Sequence, residues 1–148
     1  MPVHVLTSYF NSTGGIDVQS ATHDVKRALR ESQVLNGVIT VFLPGASGGV
    51  AILENDPKIW EALKELAVSF VPDSGETRPV RRSGTGKVEG HLRGALLQQS
   101  VQIPVKEGRF LLGAWQEVVV FDFDDKPARR EIIIHVMGEG PPEKEKKK

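Results

Sequence analysis

His91 is the one histidine of four in this chain with an acid two residues away, and Glu89-Gly90-His91 is the first place to look for chemistry. In extended backbone, side chains two apart project to the same side. Imidazole and carboxylate are both ligands for a divalent cation, so the pair is a candidate metal site. Two ligands do not hold an ion tightly, and a third has to come from elsewhere. Glu54 is the next candidate, standing between an apolar strand and Asp56-Pro57. A carboxylate there either moves a proton or only stabilises the free N–H groups of the helix that follows. Gly45, Gly48 and Gly49 allow close backbone approach and can form an anion-binding nest, although a tight strand connection accounts for them as well. Arg78, Arg81 and Arg82 form a basic patch that either grips phosphate oxygens or lies solvated. Trp115 either lies under a pocket or packs in the core, its indole N–H needing a partner. His4, His23 and His135 read as surface or hydrogen-bonded structural histidines.

The elements that must position these side chains alternate between strand and helix. Val3–Phe10 reads as a first strand, Asn11–Gly15 as a turn and Ile16–Val18 as a short strand. Thr22 reads as an N-cap, with Val25, Ala28 and Leu29 giving one apolar face to a helix that reaches about Ser32. Val38–Leu43 is the strongest strand signal, apolar enough to suggest burial on both faces. Val50–Leu53 follows, then a helix begun by Asp56 as N-cap and Pro57 at the first position. Ile59, Trp60, Leu63, Leu66, Ala67 and Phe70 recur at helical spacing until Pro72 stops them. Asp73–Gly90 reads as a long loop and Leu92–Gln98 as a helical turn or two. Val101–Val105, Arg109–Gly113, Trp115–Phe123 and Arg130–Met137 read as a β-meander. The pattern predicts a single compact α+β domain, a mainly antiparallel sheet or sandwich with two principal helices. Residues 1–138 form that domain, and 139–148 are expected to be a disordered charged tail.

At 148 residues, the chain is long enough for one self-sufficient core. Basic and acidic residues number 19 each, which gives no electrostatic reason to expect nucleic acid or an anionic membrane as a partner. The absence of cysteine excludes disulfides and thiolate chemistry. Met1–Phe10 does not read as a signal peptide, and no apolar run is long enough to cross a bilayer, so a cytoplasmic protein is the expectation.

Five segments carry a resemblance. They are Gly37-Val-Ile-Thr-Val-Phe-Leu-Pro44, Glu54 ahead of Pro57, Val71-Pro-Asp-Ser-Gly75, His91-Leu-Arg-x-Ala-Leu-Leu and Gly113-Ala-Trp-Gln116. In this order they resemble the YjbQ-like family, the "secondary thiamine-phosphate synthase" proteins, from about Tyr9 to Met137. The resemblance implies an α+β homotrimer with a site near the subunit boundary and a histidine-rich, metal-binding pocket. It implies catalytic roles for Glu54 and His91, with Glu89 and His91 either holding a divalent metal at a weaker, rebuilt site with water or lying in a pocket that no longer binds metal. A phosphorylated ligand would then be held by Ser47, Arg81, Arg82, Trp115 and Gln116.

The chain also departs from that pattern. The family's strand before the first site histidine leads into His-Thr-Ser/Thr, whereas here Gly45-Ala46-Ser47 follows Pro44 and only the Ser47 hydroxyl remains. The histidine that relatives carry after Pro-Asp-x-Gly has Pro79 as its nearest counterpart. His-x-His becomes Glu89-Gly90-His91, and Gly-Thr-Trp-Gln becomes Gly113-Ala-Trp-Gln116. Two functions follow as expectations. One is a transferase joining a pyrimidine diphosphate to a thiazole phosphate on a remodelled site. The other is a non-catalytic homotrimer that binds a ligand or serves a structural role.

Overall fold

The computed structural model describes residues 2–73 and 87–142. In chain order they form β1 (Val3–Ser12), β2 (Asp17–Ser20), α1 (Thr22–Ser32), β3 (Asn36–Phe42), β4 (Gly48–Glu54) and α2 (Pro57–Phe70). After these come α3 (Val88–Leu97), β5 (Ser100–Lys106), β6 (Arg109–Phe110), β7 (Gln116–Asp122) and β8 (Ala128–Glu139). A five-stranded sheet has the order β1-β8-β3-β5-β6, and a three-stranded sheet the order β2-β7-β4. Every ladder among them is antiparallel. This is the expected α+β sandwich, with α3 as a third helix beyond the two principal ones.

Side-chain alternation along the strands fills the space between the sheets. Ile39, Val41, Ile103, Ile132, Ile134 and Val136 point inward from the larger sheet and meet Val50, Val118 and Val120 from the smaller one. Val25, Ala28 and Leu29 of α1 join the same core, and each buried branched chain contributes roughly 2 kcal/mol. Val119, Phe121 and Phe123 face the other way, onto Trp60, Leu63, Ala67 and Leu97 of α2 and α3. The strand buried on both faces is therefore β7, not β3 as its composition suggested. The far face of β3 carries Val38, Thr40 and Phe42, in register with Met137, His135 and Ile133. No described residue covers it: Phe42 is 40% exposed and Met137 42%.

The C-terminal strands are not a meander. β7 leaves for the smaller sheet, and β8 returns to sit between β1 and β3. The strand expected at Arg109–Gly113 stops at Phe110. Thr22 is the first residue of α1 and not its cap, because its hydroxyl is taken across the fold by the Val118 N–H at 2.9 Å. Asp56 does cap α2 as read, accepting from the Lys58 N–H at 3.0 Å with Pro57 in the first turn. β8 runs on to Glu139. Glu139 pairs with Asn36, and its carbonyl accepts from the Leu35 N–H at 2.8 Å.

Candidate functional site

The glycine loop between β3 and β4 is held by a buried ionic network that the sequence reading did not find. Asp122, at the end of β7, is fully buried and accepts from Arg130 Nε at 2.8 Å and from the Asp124 N–H at 3.0 Å. Asp124 accepts from Arg130 Nη2 at 2.7 Å. Burial alone would ease deprotonation of the Arg130 guanidinium, but its bonds to Asp122 and Asp124 outweigh this and raise its pKa. Ser47 is buried, with its hydroxyl 3.4 Å from Asp122 Oδ1 and its carbonyl accepting from the Phe123 N–H at 2.9 Å. The surviving hydroxyl of the loop is thus turned into the protein. The Gly48 N–H donates to the Gly45 carbonyl at 3.1 Å, and none of the three loop glycines has positive φ. The loop is a tight strand connection and not an anion nest.

Helix α3 rests on this loop. Gly90 and Gly94 lie one turn apart on its buried face, where a Cβ at Gly94 would stand 2.7 Å from the Gly48 carbonyl oxygen and 2.8 Å from that of Ala46. A Cβ at Gly90 would meet the Phe123 carbonyl oxygen at 2.7 Å. Arg93, on the same face, donates to the Val71 carbonyl at 2.9 and 2.6 Å and fastens the end of α2. Lys87 reaches Asp125 at 2.8 Å, and that hydrogen bond with its charge raises the lysine pKa.

This helix corrects the expected geometry of Glu89 and His91. The pair lies within α3, not on extended backbone, so two residues turn the side chains about 200° apart. Glu89 is buried at 2% exposure, while His91 stands at the edge of the helix's outer side. The donors do not fit the divalent ion that the resemblance implies. Within one chain the pair cannot close on a single ion, and no group of three His, Asp or Glu gathers among the described residues.

Glu54, Trp115 and Gln116 are brought together, at the opposite end of the same ladder. Glu54 pairs with Gln116, just as Gly48 pairs with Asp122 six residues earlier. That separation along β4 is roughly 20 Å. The Glu54 carbonyl accepts from Trp60 Nε1 at 2.9 Å, and the Trp115 carbonyl from the Asn55 N–H at 2.6 Å. Gln116 Oε1 accepts from the Gly113 N–H at 2.6 Å. The Trp115 side chain, expected under a pocket or in the core, is 75% exposed. Ser47, Glu89 and His91 therefore mark one end of the smaller sheet, and Glu54, Trp115 and Gln116 mark the other. Arg78, Arg81, Arg82 and Pro79 lie outside the described residues. No described helix is long and apolar enough to cross a membrane.

A small antiparallel sandwich with a glycine loop braced by α3 and a Trp-Gln step at the far end of its ladder defines a class of compact α+β proteins. Within that class the chain belongs to the YjbQ-like family (UPF0047), whose model matches residues 7–139. A UPF0047 protein of Synechocystis is 32% identical over 129 residues, covering 86% of this chain and 88% of that one. One from Mycobacterium tuberculosis is 35% identical over 99 residues, covering 67% and 74%. The crystal structure of an uncharacterized conserved YjbQ/UPF0047 protein from Clostridium acetobutylicum matches with a TM-score of 0.79 at 26% identity, covering 89% of this chain and 99% of that one. A Sulfolobus solfataricus protein, described as of unknown function, has the same fold at 19% identity, with a TM-score of 0.77 over 93% and 100% of the two chains.

Proposed function

We propose that this protein is a homotrimeric ligand-binding member of the YjbQ-like family whose pocket is completed between neighbouring chains. One chain contributes the Ser47, Glu89 and His91 end, and the next contributes Glu54, Trp115 and Gln116. The observation that carries this reading is the separation of the two groups along the β4–β7 ladder. A contact joining one end of a chain to the other end of its neighbour is head-to-tail, and such contacts close into rings when the rotation allows. The apolar outer face of the larger sheet, with Val3, Val5, Phe42 and Met137 exposed, supports association. The ligand favoured is a small phosphorylated compound.

Retention of Glu54, His91, Trp115 and Gln116 favours a second reading, a thiamine-phosphate synthase. In that reaction a thiazole nitrogen attacks the methylene carbon of a pyrimidine diphosphate. A C–N bond forms, the C–O bond breaks, and pyrophosphate leaves with the bonding electrons. Light scattering of the purified protein tests the assembly: three chains per particle are expected, and a stable single chain contradicts the proposal. Assay of the trimer with the two precursors separates the readings. Thiamine phosphate formation that is lost in Glu54→Gln identifies the transferase, and its absence leaves a binding protein.

A further inference from the structure

A second concavity lies away from both ends of that ladder, between the latter half of α1 and the β5–β6 hairpin. It has a volume of about 460 Å³ and is lined by Lys26, Leu29, Arg30, Gly108, Arg109 and Phe110. Three of those six residues are cations and none is an acid. Among the described residues, Lys26, Arg30 and Arg109 take part in no ion pair. The nearby acids of α1 are engaged elsewhere, Asp24 with Arg27 at 3.6 Å and Glu31 with His4 at 3.6 Å. Arg109 pairs across the hairpin with Lys106, another cation, while Glu107 sits at the exposed turn. In a chain whose charges balance overall, this is local segregation of positive charge.

Structure alone accounts for part of it. Lys26 Nζ lies 5.9 Å from the centre of the Phe110 ring, a cation–π contact. Arg30 sits in the last turn of α1, where a cation favours the helix dipole. Neither explains Arg109, nor like charges one helical turn apart at Lys26 and Arg30, an arrangement that costs the helix stability. Leu29 and the half-buried Phe110 give the cleft an apolar wall beside its cations. The concavity is open to solvent and wider than a bare ion requires.

We infer that this cleft binds a phosphorylated compound with a flat ring, of the size of a nucleoside monophosphate. The phosphate oxygens would take Arg30 and Arg109 as charge-assisted partners, and the ring would lie against Phe110 and Leu29. The test titrates the full chain with adenosine 5′-monophosphate, adenosine and inorganic phosphate, following backbone amide resonances. Saturable shifts at Leu29, Gly108 and Phe110 with the monophosphate are expected, with adenosine and phosphate each at least about tenfold weaker. Arg30→Gln and Arg109→Gln should each weaken the monophosphate by about tenfold, with the remaining amide spectrum showing that the fold is intact. Equal affinity for phosphate and monophosphate would overturn the inference, as would shifts that persist in an Arg30→Gln/Arg109→Gln double variant. Tighter binding of a short single-stranded oligonucleotide than of the monophosphate would overturn it as well.

Discussion

Asp122 and Ser47 touch the same loop but carry different loads. Asp122 is fully buried, and its carboxylate accepts from Arg130 and from the Asp124 N–H, whereas Ser47 adds one long bond of 3.4 Å. Asp122→Asn removes the buried charge bonded to Arg130 Nε, while Asp124 keeps the other end of the guanidinium, and losing such a charge-assisted bond costs roughly 2 kcal/mol. Losing one weak neutral donor costs about 1 kcal/mol or less. Asp122→Asn should therefore lower the midpoint of urea unfolding more than Ser47→Ala. Equal effects would mean that the loop is held by its backbone bonds alone, such as the one from the Phe123 N–H to the Ser47 carbonyl. The same geometry bears on function. A hydroxyl turned toward Asp122 is not presented to a phosphate, which counts against the expected ligand-binding role of Ser47.

At the scale of elements, α3 is where sequence and structure diverge most, and packing explains why. Asp73 to Gly90 reads as loop and only Leu92–Gln98 as a helical turn or two. In contrast, α3 starts at Val88 and holds Gly90 and Gly94, although glycine costs a helix about 1 kcal/mol relative to alanine. The helix forms because Gly90 lets its backbone lie against the Phe123 carbonyl and Gly94 against those of Ala46 and Gly48, a tertiary gain no local pattern records. Gly94→Ala should accordingly destabilise the protein by about 1 to 3 kcal/mol, although propensity alone predicts the opposite sign. Ala95→Gly, on the exposed side of the same helix, should cost only about 1 kcal/mol. Denaturant unfolding of the two variants checks both the sign and the order. Where local chemistry suffices, the sequence was readable: Asp56-Pro57 starts α2 through one side-chain bond and one fixed dihedral angle. The Asp122–Arg130 pairing was not readable, because it joins the end of one strand to the start of another in a different sheet. Glu54 and Gln116 were both singled out, but only the ladder register makes them neighbours.

At the scale of the molecule, the apolar outer face of the larger sheet and Trp115 are both left exposed within one chain. The composition of β3 reads as a strand buried on both sides, yet within one chain Phe42 is left 40% exposed. Under the proposed assembly that sequence signal is satisfied between copies, and Trp115 is covered by the next chain's His91 end. Trp115 can report this without any knowledge of the ligand, because the chain has only two tryptophans. In a Trp60→Phe background, the emission of Trp115 should be blue-shifted and slow to quench by acrylamide while the particle holds three chains. Introducing Phe42→Glu places a charge on an apolar face, which opposes association. Once scattering reports single chains, the emission should move to the red and quenching should accelerate, as expected of an indole 75% exposed. An indole quenched equally fast in the trimer and in the single chain would show that the two ends of the ladder do not meet across the chain boundary. Glu54 and His91 would then belong to separate surfaces, with no shared pocket in any arrangement that leaves Trp115 in water.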